Sequence, residues 1–155
     1  MTLAGFWRAA EAGLDQWAAN EPASATTLQW RERRRLRLFR VDAARLDASW
    51  PPPMPELPPV SCTDAAIGRL YVLEGSTLGG QIINRSLAAR TPDDPLSTVA
   101  LRGLAPYGEQ TGSMWAAYRR AVSLLAVDTE AVVGSAVETF ALLETWCRAP
   151  LAGHR

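Results

Sequence analysis

Six prolines fall within nine residues at Pro51-Pro52-Pro53-Met54-Pro55-Glu56-Leu57-Pro58-Pro59, and no regular helix or sheet runs through such a stretch. Each proline fixes φ and removes a backbone donor, so the segment is extended, polyproline-like coil. On both sides of it apolar residues recur at helical spacing, and period-two alternation is nearly absent. The chain therefore reads as one all-α domain over residues 1–155, with 51–60 as a stiff internal connector. A proline run also serves as a ligand for proline-reading modules, but a connector within a domain is the commoner use.

A first helix is expected from Leu3 to Ala19, with Phe6, Ala10, Leu14 and Trp17 on one stripe. Asn20 to Thr26, containing Pro22, breaks it. A second starts near Thr27 and carries Leu36, Phe39, Ala43, Leu46 and Trp50. Ser61 or Thr63 caps a third, with Asp64 in its first turn, and it continues to about Ala89. Thr91-Pro92-Asp93-Asp94-Pro95 ends it. A fourth helix runs from about Gly112, with Trp115, Tyr118, Val122 and Leu125 on one face. Asp128 caps a fifth, whose expected stripe is Val133, Val137, Phe140, Leu143 or Glu144, and Cys147, and Pro150 closes it.

Composition narrows the function classes. All sixteen basic residues are arginine, and they balance sixteen acidic ones. A chain without lysine has no Schiff-base chemistry and no lysine phosphate clamp. No apolar run approaches the roughly 20 residues of a membrane span, and no basic region followed by an apolar one marks a signal peptide. A soluble, cytoplasmic protein is the expectation. Cys62, Cys147 and the single histidine, His154, do not make a zinc site of the usual kind, and they leave a disulfide open without implying one. The cluster Arg31, Arg33, Arg34, Arg35, Arg37 and Arg40 is the only basic patch. With balanced net charge and no nucleic-acid motif, it reads as a solvated helix face with one arginine turned inward.

The third helix holds the anomaly. Leu73-Glu74-Gly75-Ser76-Thr77-Leu78-Gly79-Gly80-Gln81 sets three glycines inside an apolar helical pattern. Each costs roughly 1 kcal/mol against alanine in a helix interior. Gly75 and Gly79, four residues apart, share a face and form a groove free of side chains. Such a groove admits either another helix, through a small-xxx-small contact, or a flat ligand. A phosphate loop is excluded, since no strand precedes the glycines and no Gly-Lys-Ser/Thr follows. Glu74 lies in the apolar stripe between Leu70 and Leu78. Pairing with a buried arginine is the usual fate of such a glutamate, and Arg69, Arg119 and Arg120 are the candidates. An acid or base role is the alternative.

The run Leu70-Tyr71-Val72-Leu73-Glu74-Gly75-Ser76-Thr77-Leu78-Gly79-Gly80-Gln81 resembles the distal-helix motif of bacterial heme oxygenases, most of all the branch found alongside bacteriophytochromes. Trp30, Arg33, Arg35, Leu36, Asp42 and Leu46 resemble that branch's basic second segment. Tyr107-Gly108, Gly112, Met114-Trp115, Tyr118 and Arg119 resemble its later helix, and Thr139-Phe140-Ala141-Leu142-Leu143 to Trp146 its last. The resemblance implies a heme-oxygenase-like helical fold that opens heme to biliverdin, iron and carbon monoxide with oxygen and an external electron donor. It implies that heme lies against the glycine helix, with Gly75 and Gly79 close to the iron-bound oxygen. Ser76 would help hold a water network, Arg119 would meet a propionate, Phe140 would line the wall, and Tyr71 and Gly80 would touch the cofactor.

The departure from the family is the proximal histidine of its first helix, which this chain lacks near its beginning. In one register Arg8 to Asp15 is the proximal helix with Glu11 in the histidine's place. In the other, preferred because only fifteen residues separate Asp15 from Trp30, these residues are the family's second helix and the first is missing. That register leaves the metal ligand unknown and predicts an exposed apolar surface where Phe6, Trp7 and Trp17 lie, inviting self-association or a partner helix. A degenerate, non-catalytic relative that binds a tetrapyrrole or a protein partner is the competing functional expectation.

Overall fold

The computed structural model describes residues 2–89 and 101–149, and every regular element among them is helical. In chain order they are α1 (Thr2–Asn20), α2 (Pro22–Thr27), α3 (Trp30–Arg33), α4 (Leu36–Arg45), α5 (Thr63–Ala88), a 3-10 turn (Gly108–Gln110), α6 (Thr111–Ser123) and α7 (Thr129–Arg148). Thr91 to Pro95, Pro150 and His154 lie outside the described residues.

The apolar stripe of α1 is the centre of the core. Phe6, Ala10, Leu14 and Trp17 are buried as their spacing predicts, and Trp7 joins them against Phe39 with ring centroids 5.5 Å apart. This overturns the expectation of an exposed surface at Phe6, Trp7 and Trp17, none of which is more than 2% exposed. Helices α2, α4, α5 and α7 pack around α1 and cover them.

The second helix expected from Thr27 is two short ones, α3 and α4, and a further short helix, α2, fills the expected break. Helix α1 ends at Asn20, as expected, and Pro22 opens α2, where its missing N–H is no loss. Gln29 adopts a left-handed conformation with φ of 54°, and Arg34 is extended, so α2, α3 and α4 are separated at those two residues. Helix α4 has no cap from its own N-cap residue, Arg35. Glu11 supplies one from α1, its carboxylate accepting the backbone N–H groups of Arg35 and Leu36, each at 2.8 Å.

The proline segment is extended, as expected, and lies on the domain. Its prolines offer acceptors without donors, and two arginines use them. Arg8 donates to the Pro52 carbonyl at 3.1 Å and Arg69 to that of Pro58 at 2.7 Å.

Helix α5 follows with Cys62 as N-cap and no side-chain cap, so neither Ser61 nor Thr63 fills that role. Its chief partner is α7, and the close approach is made at Gly68. A Cβ there would stand 2.5 Å from the Val132 carbonyl oxygen and 2.6 Å from the Ser135 Cβ. Helix α7 is capped by Asp128 as predicted, its carboxylate accepting from Glu130 and Ala131. Its expected inner stripe is out of phase, however. Leu143 packs against the core as expected, but Val133, Val137, Phe140 and Cys147 are exposed, while Val132, Ser135, Ala136, Thr139, Leu142 and Trp146 face inward. The Gly68 contact selects that phase by admitting the backbone at 132–136, and Ser135 locks it by donating to the Ala65 carbonyl at 2.9 Å.

Helix α6 is tied to α5 by the Tyr118 hydroxyl, which donates to the Ile67 carbonyl at 2.8 Å. The loop leading to it is held by buried Asp42, whose carboxylate accepts the N–H groups of Arg102 and Gly103. Asn84 bonds both backbone groups of Leu101 and so holds the start of that loop against α5.

Candidate functional site

The middle of α5 divides sharply between an inner and an outer face. Leu70, Leu73, Glu74 and Thr77 are buried. Tyr71, Gly75, Leu78, Gly79 and Ile82, at helical spacing, make the outer face, where Tyr71, Leu78 and Ile82 are 52%, 41% and 64% exposed. A Cβ built at Gly75 or Gly79 would meet no atom of the described residues within 4 Å. Of the two uses open to this glycine face, a helix contact is therefore not the one made among the described residues. That contact belongs to Gly68. Gly80 also points elsewhere, since a Cβ on it would run into the Leu104 carbonyl.

The outward side of α7 continues the surface. Tyr71 and Val72 of α5 face Ala136, Val137, Phe140, Ala141 and Glu144 across a shallow groove of about 330 Å³. Tyr71 and Phe140, both singled out in the sequence, thus meet in one apolar trough beside the glycine face. Trp115 of α6 packs edge-on against Tyr71 with centroids 5.4 Å apart, and exposed Arg119 lies one helical turn beyond it.

Beneath the face is a buried polar network. Arg33 donates to Glu74 Oε2 at 2.5 Å, and both side chains are almost wholly enclosed. Tyr107 donates its hydroxyl to Glu74 Oε1 at 2.8 Å. The partner of Glu74 is thus Arg33, not Arg69, Arg119 or Arg120. Arg35, also buried, donates to the Leu73 carbonyl and to Ser76 Oγ, and its guanidinium lies 4.4 Å over the Trp7 ring. Two arginines of the basic cluster turn inward rather than one. The cause is local: Arg34 is extended, and in extended chain residues i and i+2 project to the same side. That signal was present in the Arg-Glu-Arg-Arg-Arg spelling only for a reader who already knew that the helix is interrupted there.

Burial shapes the ionisation of these groups. It lowers Arg35 to about 10, opposed by the nearby charges of Glu74 and the groups of Tyr107 and Glu11. It pushes Tyr107 well above the usual phenol range, and the Glu74 carboxylate adds to the rise, so the hydroxyl stays a donor. Tyr118 is raised for the same first reason. Burial also raises Glu11, against the two backbone N–H groups it accepts. Glu11 is committed to capping α4 and is not free to replace a histidine. Ser76 is half-buried and turned inward, donating to the Leu73 carbonyl at 2.6 Å while accepting from Arg35.

The face suits a flat, largely apolar ligand, since bare backbone is bordered by apolar side chains. It does not show an iron ligand of the histidine type, because the described residues contain no histidine. No group of three or more His, Cys, Asp or Glu side chains among them could hold a metal ion, and both described cysteines are free. No helix among the described residues is long and apolar enough to cross a membrane.

Compared with known proteins, the chain is similar to a heme oxygenase of Xanthomonas campestris pv. campestris (strain 8004), 39% identical over 94 residues. That match covers 58% of this chain and 48% of the relative, so the chain spans about half the length of the curated relative it matches. The similarity supports the heme oxygenase family and agrees with the all-α architecture. No family model matches the chain, and no solved structure does.

Proposed function

We propose that this chain is a heme-oxygenase-type protein that receives heme flat against the outer face of α5. The observation that carries the reading is the pair Gly75 and Gly79, exposed to open space in a helix that could have had alanine at both. Bare backbone lets a planar ring approach to contact distance, while Tyr71, Leu78, Val137 and Phe140 border it with apolar surface. The bound heme would supply the iron at which oxygen is activated, for cleavage to biliverdin with electrons from an external donor in the cytoplasm. The chain's own residues would exclude water from one side of the ring, and Arg119, exposed on α6, would make a charge-assisted contact with a carboxylate at its edge. This assignment extends to the bacteriophytochrome-associated branch on the Leu70 to Gln81 motif.

A second reading rests on Glu11, whose carboxylate caps α4 and is not free to stand in for a proximal histidine. On that reading the face holds a tetrapyrrole, or a protein partner, without turning it over. Heme titration followed at the Soret band, with reductant then added in air, separates the two. Saturable binding followed by conversion to a biliverdin spectrum supports catalysis, and binding without conversion supports the second reading. Gly79→Leu is expected to abolish binding with helical circular dichroism unchanged, because the new side chain enters open space. Retained affinity in that variant would refute the glycine face as the site.

A further inference from the structure

Among the described residues, no side chain packs onto Gly75 or Gly79 from the outer side of α5. Its two exposed glycines weaken the helix where the ligand is proposed to lie. What holds the backbone must act from inside, and one side chain reaches that point. The Arg35 guanidinium passes beneath α5 and donates through Nη2 to the Leu73 carbonyl and, at 2.8 Å, to Ser76 Oγ. Those two acceptors bracket Gly75. Ser76 returns its own hydroxyl proton to the Leu73 carbonyl at 2.6 Å, so three groups share one corner of the helix. Side-chain donors to a helix carbonyl compete with the backbone ladder and bend helices where they act.

Arg35 is itself fixed at four points. Glu11 takes its backbone N–H, Trp7 lies under its guanidinium, Nη1 reaches the Gly103 carbonyl at 3.4 Å, and the Leu73 corner holds Nη2. Glu74, the nearest carboxylate on α5, is already bonded to Arg33 and Tyr107. Among the described residues Arg35 makes no ion pair, and its guanidinium donates to the helix backbone and to Ser76.

We infer that Arg35 is a positioning residue for the glycine face, holding the backbone on both sides of Gly75 in the shape that a flat ligand meets. The ligand part rests on the function proposed above. The backbone part does not, and the two are measured separately. The experiment uses the 155-residue chain with Arg35→Gln, Arg35→Lys and Ser76→Ala, read by amide hydrogen exchange and by heme titration.

In Arg35→Gln, exchange across residues 73–81 should quicken by about tenfold or more, the loss expected for a charged hydrogen bond. Residues 63–70 of the same helix, held by Gly68 against α7, should not change. Arg35→Lys keeps the charge but not the fork that reaches Leu73 and Gly103 together, so it should fall between. Heme dissociation constants should rise in the same order. Equal acceleration along the whole chain, or no change at 73–81, overturns the inference. If Arg35→Gln does not fold, Ser76→Ala, which removes one anchor only, must show the same local pattern or the inference fails. If the unsubstituted chain binds no heme, the proposed function falls and the exchange pattern alone decides the role of Arg35.

Discussion

The glycines of α5 have different surroundings, and replacing them one at a time separates what they do. Gly68→Ala would drive a Cβ into the Val132 carbonyl and the Ser135 side chain, so α5 and α7 must move apart. A loss of about 1–3 kcal/mol is expected from such overpacking, read as a lower urea midpoint. Gly79→Ala meets open space in a helix interior and should gain up to about 1 kcal/mol in the same measurement. If both substitutions destabilise alike, the open face is not open. Glu74 gives the largest expected effect. Glu74→Ala leaves Arg33 and the Tyr107 hydroxyl buried without their acceptor, and removing one partner of a buried ion pair costs about 3–5 kcal/mol. That glutamate was legible as a buried partner of an arginine from its place in an apolar stripe. Which arginine it pairs with was not, because Arg33 lies forty-one residues away across a fold that spacing does not encode.

At the scale of elements, α1 was legible from its apolar spacing, and α5 and α7 from local chemistry at their starts. Asp128 before α7 and the proline run before α5 were visible because a cap and a missing donor act within a few residues. The phase of α7 and the division of α2 to α4 were hidden, since the first is set by a glycine on another helix and the second by a cap arriving from α1. Glu11 carries a test of that remote cap. Its folded-state pKa lies above the ordinary 4.5 because burial disfavours the charged form. The folded chain therefore holds this proton more tightly than the unfolded one. The stability this adds is complete below the unfolded value and is lost as pH rises through the raised folded value. In Glu11→Gln, whose amide oxygen can still accept from Arg35 and Leu36, that decline should vanish from denaturation midpoints measured from below pH 4.5 upward. An unchanged slope would mean that Glu11 binds its proton equally in the folded and the unfolded chain.

For the molecule as a whole, the apolar surface that the sequence placed on α1 lies instead on α5 and α7. Val133, Val137, Phe140, Tyr71, Leu78, Ile82 and Ile83 together expose more apolar surface than scattered single residues would. The free chain is expected to bind an apolar fluorescent dye there, and heme should displace it. Val137→Glu and Phe140→Glu should each lower dye binding while leaving circular dichroism unchanged, and dye binding that ignores both would put the patch elsewhere. The same helix also sets a dimension. Gly68 pins α5 against α7 and Gly80 pins it against the Leu104 backbone, and twelve residues of helix between them span about 18 Å. The glycine face lies between two fixed supports, like a bench bolted at both ends. It cannot lengthen or shorten for its occupant, so discrimination among planar rings should follow their breadth: porphyrins with bulky rim substituents should bind worse than bare-rimmed ones of equal charge.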